Sequence, residues 1–191
     1  MVTGCAENVP SSDNDTPTTD VAVSDNLRGI LFDLYCTVSE SGHFPGRFSG
    51  ITRYDAEYRE QFNKPALDLN SNYFVCPGTG THPGNMADVD EWTDFIYVGN
   101  VEDTAPEVPL LISPPENHRG KYGYVATSGR GILRLPSNEV RALIIEPWLL
   151  STNETADNID SIKRSIKVNV PPRLQRLYTN VNNWTRPPLK W

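Results

Sequence analysis

From Asn26 onward the apolar side chains Leu27, Ile30, Leu31, Leu34, Tyr35 and Val38 recur at three- and four-residue intervals. That spacing places them on one face of an α-helix. Ser24 and Asp25 can cap its first turn, because their side-chain oxygens accept early backbone N–H groups. Ser41-Gly42, followed by Pro45, ends it. Apolar runs downstream are short: residues 73–76, 95–98, 110–112, 122–126 and 131–135. These have strand length and are divided by Pro- and Gly-rich turns. Thr127-Ser128-Gly129-Arg130 reads as the turn that joins the last two as an antiparallel hairpin. One single-faced helix ahead of short antiparallel strands predicts an α+β fold, with the helix laid across one face of a small sheet. Secondary helices are expected over residues 54–62, from Asn138 with Ser137 as its cap and Val140, Leu143 and Ile144 buried, and near residues 158–166.

Composition limits the function. With 16 prolines and 13 glycines in 191 residues, much of the chain is turn and loop. A net charge of −7 argues against a general nucleic-acid binder, which needs a basic surface. Charge is unevenly spread. Residues 1–25 carry Glu7, Asp13, Asp15, Asp20 and Asp25 and no Lys or Arg, so residues 1–23 read as a disordered acidic tether. Residues 24–150 form the domain, and residues 151–191 read as a basic, aromatic, Pro-rich extension. In that extension Lys163, Arg164, Lys167, Arg173, Arg176, Arg186 and Lys190 outnumber Glu154, Asp157 and Asp160. Two solvated tails of opposite sign explain this pattern; a basic tail meeting an acidic surface of a neighbouring copy is the sharper alternative. Trp92 and Trp148 are expected in the core. Tyr178, Trp184 and Trp191 either fold back onto the domain or anchor a partner. On the partner reading, removing residues 151–191 abolishes binding and leaves the domain folded.

The sequence holds no apolar stretch long enough to cross a bilayer. Val2-Thr3-Gly4-Cys5 resembles a bacterial lipobox, which makes Cys5 a candidate for acylation ahead of the tether. Cys36 and Cys76 can then pair in an oxidising envelope, or remain buried thiols.

Asp88, Asp90, Glu91 and Asp94 make the densest acidic cluster of the domain, and hard oxygen ligands at that spacing suit Ca²⁺. The spacing is not that of an EF-hand loop. Apart from this calcium no cofactor is expected. His118 lies in a glycine-flanked turn with no metal-type spacing to His43 or His82, and is expected to serve the turn. Ser128 lacks the strand-to-helix setting and the preceding glycine of a nucleophile elbow. Gly129-Arg130-Gly131 is too short for a phosphate loop.

Three signals stand in order: Phe74-Val75-Cys76-Pro77, then Asp90-Glu91-Trp92-Thr93-Asp94-Phe95, then Asn117-His118-Arg119-Gly120 before the hairpin. Together with the helix from Ser24 and its Gly42-His43-Phe44-Pro45 exit, they resemble the globular part of bacterial type II secretion pseudopilins and type IV pilin-like proteins. The resemblance covers residues 24 to about 136. It implies a non-enzymatic, extracytoplasmic domain, in the periplasm or at the cell surface, acting through protein–protein contacts and self-association in a secretion or pilus-type assembly. It also implies a structural turn at Asn117, His118 and Gly120. Some members of the family bind calcium. Ser128 and Arg130 stand where the family's hairpin carries an acid and a histidine, and nothing before Ser24 matches the family's hydrophobic helix. A lipid-tethered surface lipoprotein that binds a ligand such as a glycan is the alternative.

Overall fold

A computed structural model describes residues 17–38, 42–62, 69–103, 107–129, 131–151 and 153–184. Helix α1 (Pro17–Thr37) starts at Pro17, not at Ser24, so the tether expected through residue 23 is helical over its last turns. Proline is well placed at a first helical position, where its missing N–H would go unpaired anyway. The early start is held by packing, since Val23 is as fully buried as Leu27, Ile30 and Leu34. Tyr122 Oη also donates to Asp20 at 3.0 Å, and Arg134 pairs with the same carboxylate at 3.3 Å. No described helix is long and apolar enough to cross a membrane.

Helix α2 (Ser49–Phe62) follows, beginning ahead of the expected residue 54. The expected strand at residues 73–76 is instead a 3-10 turn, Ser71–Phe74. Asn70 caps it by accepting from the Asn72 N–H, a local bond that competes with any ladder. Helix α3 is a single turn, Val89–Trp92.

Five antiparallel strands make one sheet in the order β4-β3-β2-β1-β5. Four of them, β1 (Ile96–Gly99), β2 (Pro109–Ser113), β3 (Tyr122–Thr127) and β4 (Ile132–Pro136), lie where the apolar runs place them. The fold is therefore α+β, with an N-terminal helix on an antiparallel sheet. Thr127-Ser128-Gly129 does turn between β3 and β4, with the Thr127 N–H donating to Gly131 at 2.9 Å.

Two expectations are corrected. The sheet is covered on both faces. On one, Tyr97 Oη donates to the Pro45 carbonyl at 2.6 Å and Tyr122 reaches α1, so α1 and the start of α2 close that side. On the other lies helix α4 (Ser137–Ile145), pressed so closely that a Cβ on Gly123 would sit 3.1 Å from a Val140 methyl. This two-sided cover explains why β1 and β2 read as continuous apolar runs without alternation: every residue in them is buried. Helix α4 begins at Ser137 itself, directly after Pro136, and Ser137 makes no capping bond.

The second correction concerns the extension. Helix α5 (Ala156–Ser165) is followed by a strand, β5 (Lys167–Asn169), that pairs with β1 in the register Tyr97↔Asn169, Val98↔Val168 and Gly99↔Lys167. The described part of the extension, residues 153–184, is thus built into the sheet and the core. Ile162, Ile166, Val168, Leu174 and Tyr178 are all buried.

Candidate functional site

Four of the residues singled out in sequence, Cys76, Asp94, Asn117 and His118, meet at one place, a buried polar cluster at the Ile96 end of β1. Asp94 lies just before that strand and is fully buried. Its carboxylate accepts from the Cys76 N–H at 2.8 Å, from Thr79 Oγ1 at 2.5 Å and from Thr81 Oγ1 at 2.7 Å. Arg173 Nη2 completes the set at 2.6 Å. A carboxylate has about four acceptor sites, and here four donors fill them.

The cluster continues through Arg173, which donates to Asn117 Oδ1 at 2.6 Å. Asn117 in turn donates to the Asp94 carbonyl at 2.9 Å and to Ser113 Oγ at 3.2 Å. Ser113 Oγ lies 2.8 Å from His118 Nε2 and 3.8 Å from Cys76 Sγ. His118 stacks on Tyr122 at 5.0 Å and meets Tyr124 edge-on at 5.2 Å, which fixes its ring. The turn that carries it closes through the left-handed Arg119 and Gly120, with φ of 55° and 77°. The Gly120 N–H donates to Pro115 at 2.8 Å. Asn117, His118 and Gly120 therefore form a structural turn, from which the Asn117 and His118 side chains point into the cluster.

The acidic cluster expected to hold calcium does not form. Asp94 turns inward and is saturated, while Asp90 accepts from the Phe48 and Ser49 N–H groups at 3.0 and 3.2 Å and tethers the start of α2. Asp88 and Glu91 remain exposed on the outside. Among the described residues no three His, Cys, Asp or Glu side chains converge as a metal-holding group. The reason is backbone geometry: a single helical turn at Val89–Trp92 sends neighbouring acids to different sides.

Cys36 and Cys76 are both free thiols, the second of the two alternatives the sequence left open. Cys36 stands half-exposed on α1 beside Phe32 and Tyr35, whereas Cys76 is buried in the cluster. Burial pushes the Cys76 thiol up to about 12, so it stays protonated and unreactive at neutral pH. Ser113 and His118 are within hydrogen-bond reach, but Ser113 is fully buried and presents no face to a substrate.

Two of the three expected partner contacts, Tyr178 and Trp184, are used internally. Tyr178 Oη donates to Glu116 at 2.6 Å, and Arg141 pairs with the same carboxylate at 2.9 Å. Burial raises the affinity of Glu116 for a proton, yet these two donors outweigh it and hold its carboxyl below the usual range. Trp184 packs edge-to-face on Trp148 at 5.2 Å and donates through Nε1 to the Lys163 carbonyl at 3.3 Å. Cys5 and Trp191 lie outside the described residues. Sequence reasoning missed Arg173, Thr79, Thr81 and Ser113. A single signal pointed to Arg173, a cation next to Pro171-Pro172 with no carboxylate nearby in the chain.

Compared with protein-family models, curated proteins and solved structures, the chain matches none.

Proposed function

We propose that this chain is a pseudopilin-like domain of a bacterial envelope, extracytoplasmic and non-enzymatic, working through protein–protein contacts in a secretion or pilus-type assembly. The observation that supports this reading is the meeting of three separated motifs in one cluster. Cys76 enters it through its N–H, Asp94 through its carboxylate, and Asn117 and His118 through their side chains. An ordered set of motifs with a shared structural task behaves as the signature of a fold. The cluster's chemistry is in keeping with a structural role: the Asp94 oxygens are filled, and Ser113 is fully buried beside a protonated Cys76 thiol.

Contacts in such an assembly fall to surfaces other than the sheet faces, which are packed. The outward side of α1 presents Phe32 at 67% and Val21 at 59% exposure, with the Arg28–Asp25 pair between them. Apolar side chains of that size exposed in line on one helix are a recognisable contact feature. The glycan-binding alternative loses its aromatic platform, because Trp148, Trp184 and Tyr178 are committed to the core.

The test is the intact mass and N-terminal peptide of the protein from its native cells. Recovery from the envelope fraction, with acylated Cys5 or with a longer apolar N-terminal helix, is the expected result. An unmodified Met1 on a protein confined to the soluble fraction would overturn the proposal.

A further inference from the structure

Between the start of α2 and the outer strand β5 two shallow depressions adjoin, of about 280 and 680 Å³, with Arg47 and Lys167 in the walls of both. Arg53 and Asn100 line the larger one, and Asp90 and Glu91 both line the smaller. Arg47, Arg53 and Lys167 are exposed, and none of them makes an ion pair with a described residue. Arg28, Arg134, Arg141 and Arg173 all close on a carboxylate, at 2.9, 3.3, 2.9 and 2.6 Å.

The backbone beneath the three free cations is fixed. The Pro45 carbonyl accepts from Tyr97 Oη at 2.6 Å, and the Gly46 carbonyl accepts from Asn169 Nδ2 at 2.8 Å. Asp90 holds the Phe48 and Ser49 N–H groups. Gly99 allows this segment to lie directly on β1, since a Cβ there would fall 2.4 Å from the Gly46 oxygen. Arg47 is therefore anchored on both sides through its neighbours, and Lys167 is placed beside it by the Gly99↔Lys167 register. A rigid floor with free cationic heads is preorganised for an anion, because little backbone ordering remains for the complex to supply.

We propose that this groove binds an acidic peptide segment of a partner protein, whose carboxylates pair with Arg47, Arg53 and Lys167. All three cations line the larger depression and two of them also border the smaller, so the charged wall continues from one to the other, which suits several carboxylates on an extended chain. The size is that of a site for a ligand larger than a single ion. Asn100 adds a carboxamide able to pair with a peptide backbone. A nucleic acid fits less well, because its long run of phosphates would meet the acidic remainder of the surface. The groove's charge does not depend on the envelope role, so its binding succeeds or fails separately.

The experiment is fluorescence anisotropy of the full chain with a fluorescein-labelled hexapeptide of alternating Asp and Glu. The native protein is expected to bind it, and an Asn/Gln peptide of equal length is not. Three exposed pairs worth a few tenths to one kcal/mol each predict about tenfold weaker binding in the Arg47→Gln, Arg53→Gln, Lys167→Gln variant. Arg53→Glu alone, on the solvent side of α2, is expected to weaken binding several-fold and avoids the sheet edge entirely. Any of three results overturns the proposal: no binding by the native protein, equal binding by both variants, or tighter binding of an oligonucleotide of equal charge.

Discussion

The guanidinium of Arg173 closes to 2.6 Å on the carboxylate of Asp94, a side chain with no exposed surface, and so locks the C-terminal segment onto the start of β1. The same guanidinium bonds Asn117 at 2.6 Å. Three parts of the chain are thereby held by one cation: the loop after Phe74, the turn before β3 and the segment after β5.

Removing that cation should be costly. Arg173→Met leaves a buried carboxylate with hydroxyl and N–H donors but no counter-charge, which destabilises by about 3 kcal/mol. The half-exposed position of Arg173 keeps the figure at the low end of the range for buried pairs. Urea denaturation of the variant, followed by tryptophan fluorescence, measures it. A change below about 0.5 kcal/mol would mean that the threonines and the Cys76 N–H suffice alone.

Deleting everything after Ser151 is expected to abolish cooperative unfolding, not merely partner binding. The deletion strips β5 from β1, removes Arg173 from Asp94 and uncovers Trp148. Near-ultraviolet circular dichroism of the truncated chain should show loss of fixed aromatic packing. A truncated domain that unfolds with the native midpoint would contradict the integrated fold described above.

Asn182 acts as a substitute strand at the sheet edge. Its carboxamide accepts from the Val168 N–H at 3.0 Å and donates to the Val168 carbonyl at 2.8 Å. Asn182 adopts a left-handed φ of 64°, a conformation asparagine tolerates better than most residues. Asn182→Ala should cost about 1–2 kcal/mol through two lost bonds and a part-buried unpaired edge. Amide exchange at Val168 is the sharper readout and should accelerate more than that at Tyr97.

Asp33 supplies a pH dependence of opposite sign to that of most carboxylates. It is 8% exposed on α1, and burial raises its pKa from 3.8 to about 6. Below pH 3.8 it is protonated in both states and costs nothing; as pH rises through about 6 the unfolded chain ionises first and stability falls. Asp33→Asn should therefore stabilise the protein at pH 7 by up to about 3 kcal/mol and have little effect near pH 4. Glu116 runs the other way: its pKa is lowered from the ordinary 4.5, so the stability it gives is present above that pH and is lost as pH falls through the lowered value. Thermal melts of the native and Asp33→Asn chains between pH 4 and 7 separate the two contributions.

Much of the fold was legible because it is written at short range. The helix face from Leu27 to Leu34 and the hairpin around Ser128 are periodicities and turns set within a few residues, and both stand as read. The cluster was half legible: Cys76, Asp94, Asn117 and His118 drew attention by their motifs, but Arg173 bonds the Asp94 carbonyl across a separation of 79 residues. No local signal reports such a pairing. For the same reason neighbouring acids that looked like one calcium site point to separate tasks, and the two thiols whose pairing the sequence left open sit in different surroundings.

Sequence alone determined the class of the fold, the order of its main elements and a net charge of −7. Those properties follow from local spacing and summed charge. Only the tertiary structure decided that residues 153–184 of the aromatic, basic tail join the core and sheet, that both sheet faces are covered, and that Arg47, Arg53 and Lys167 share a groove. Burial and pairing depend on which distant segments meet, and the free energy that selects those meetings belongs to the whole packed chain.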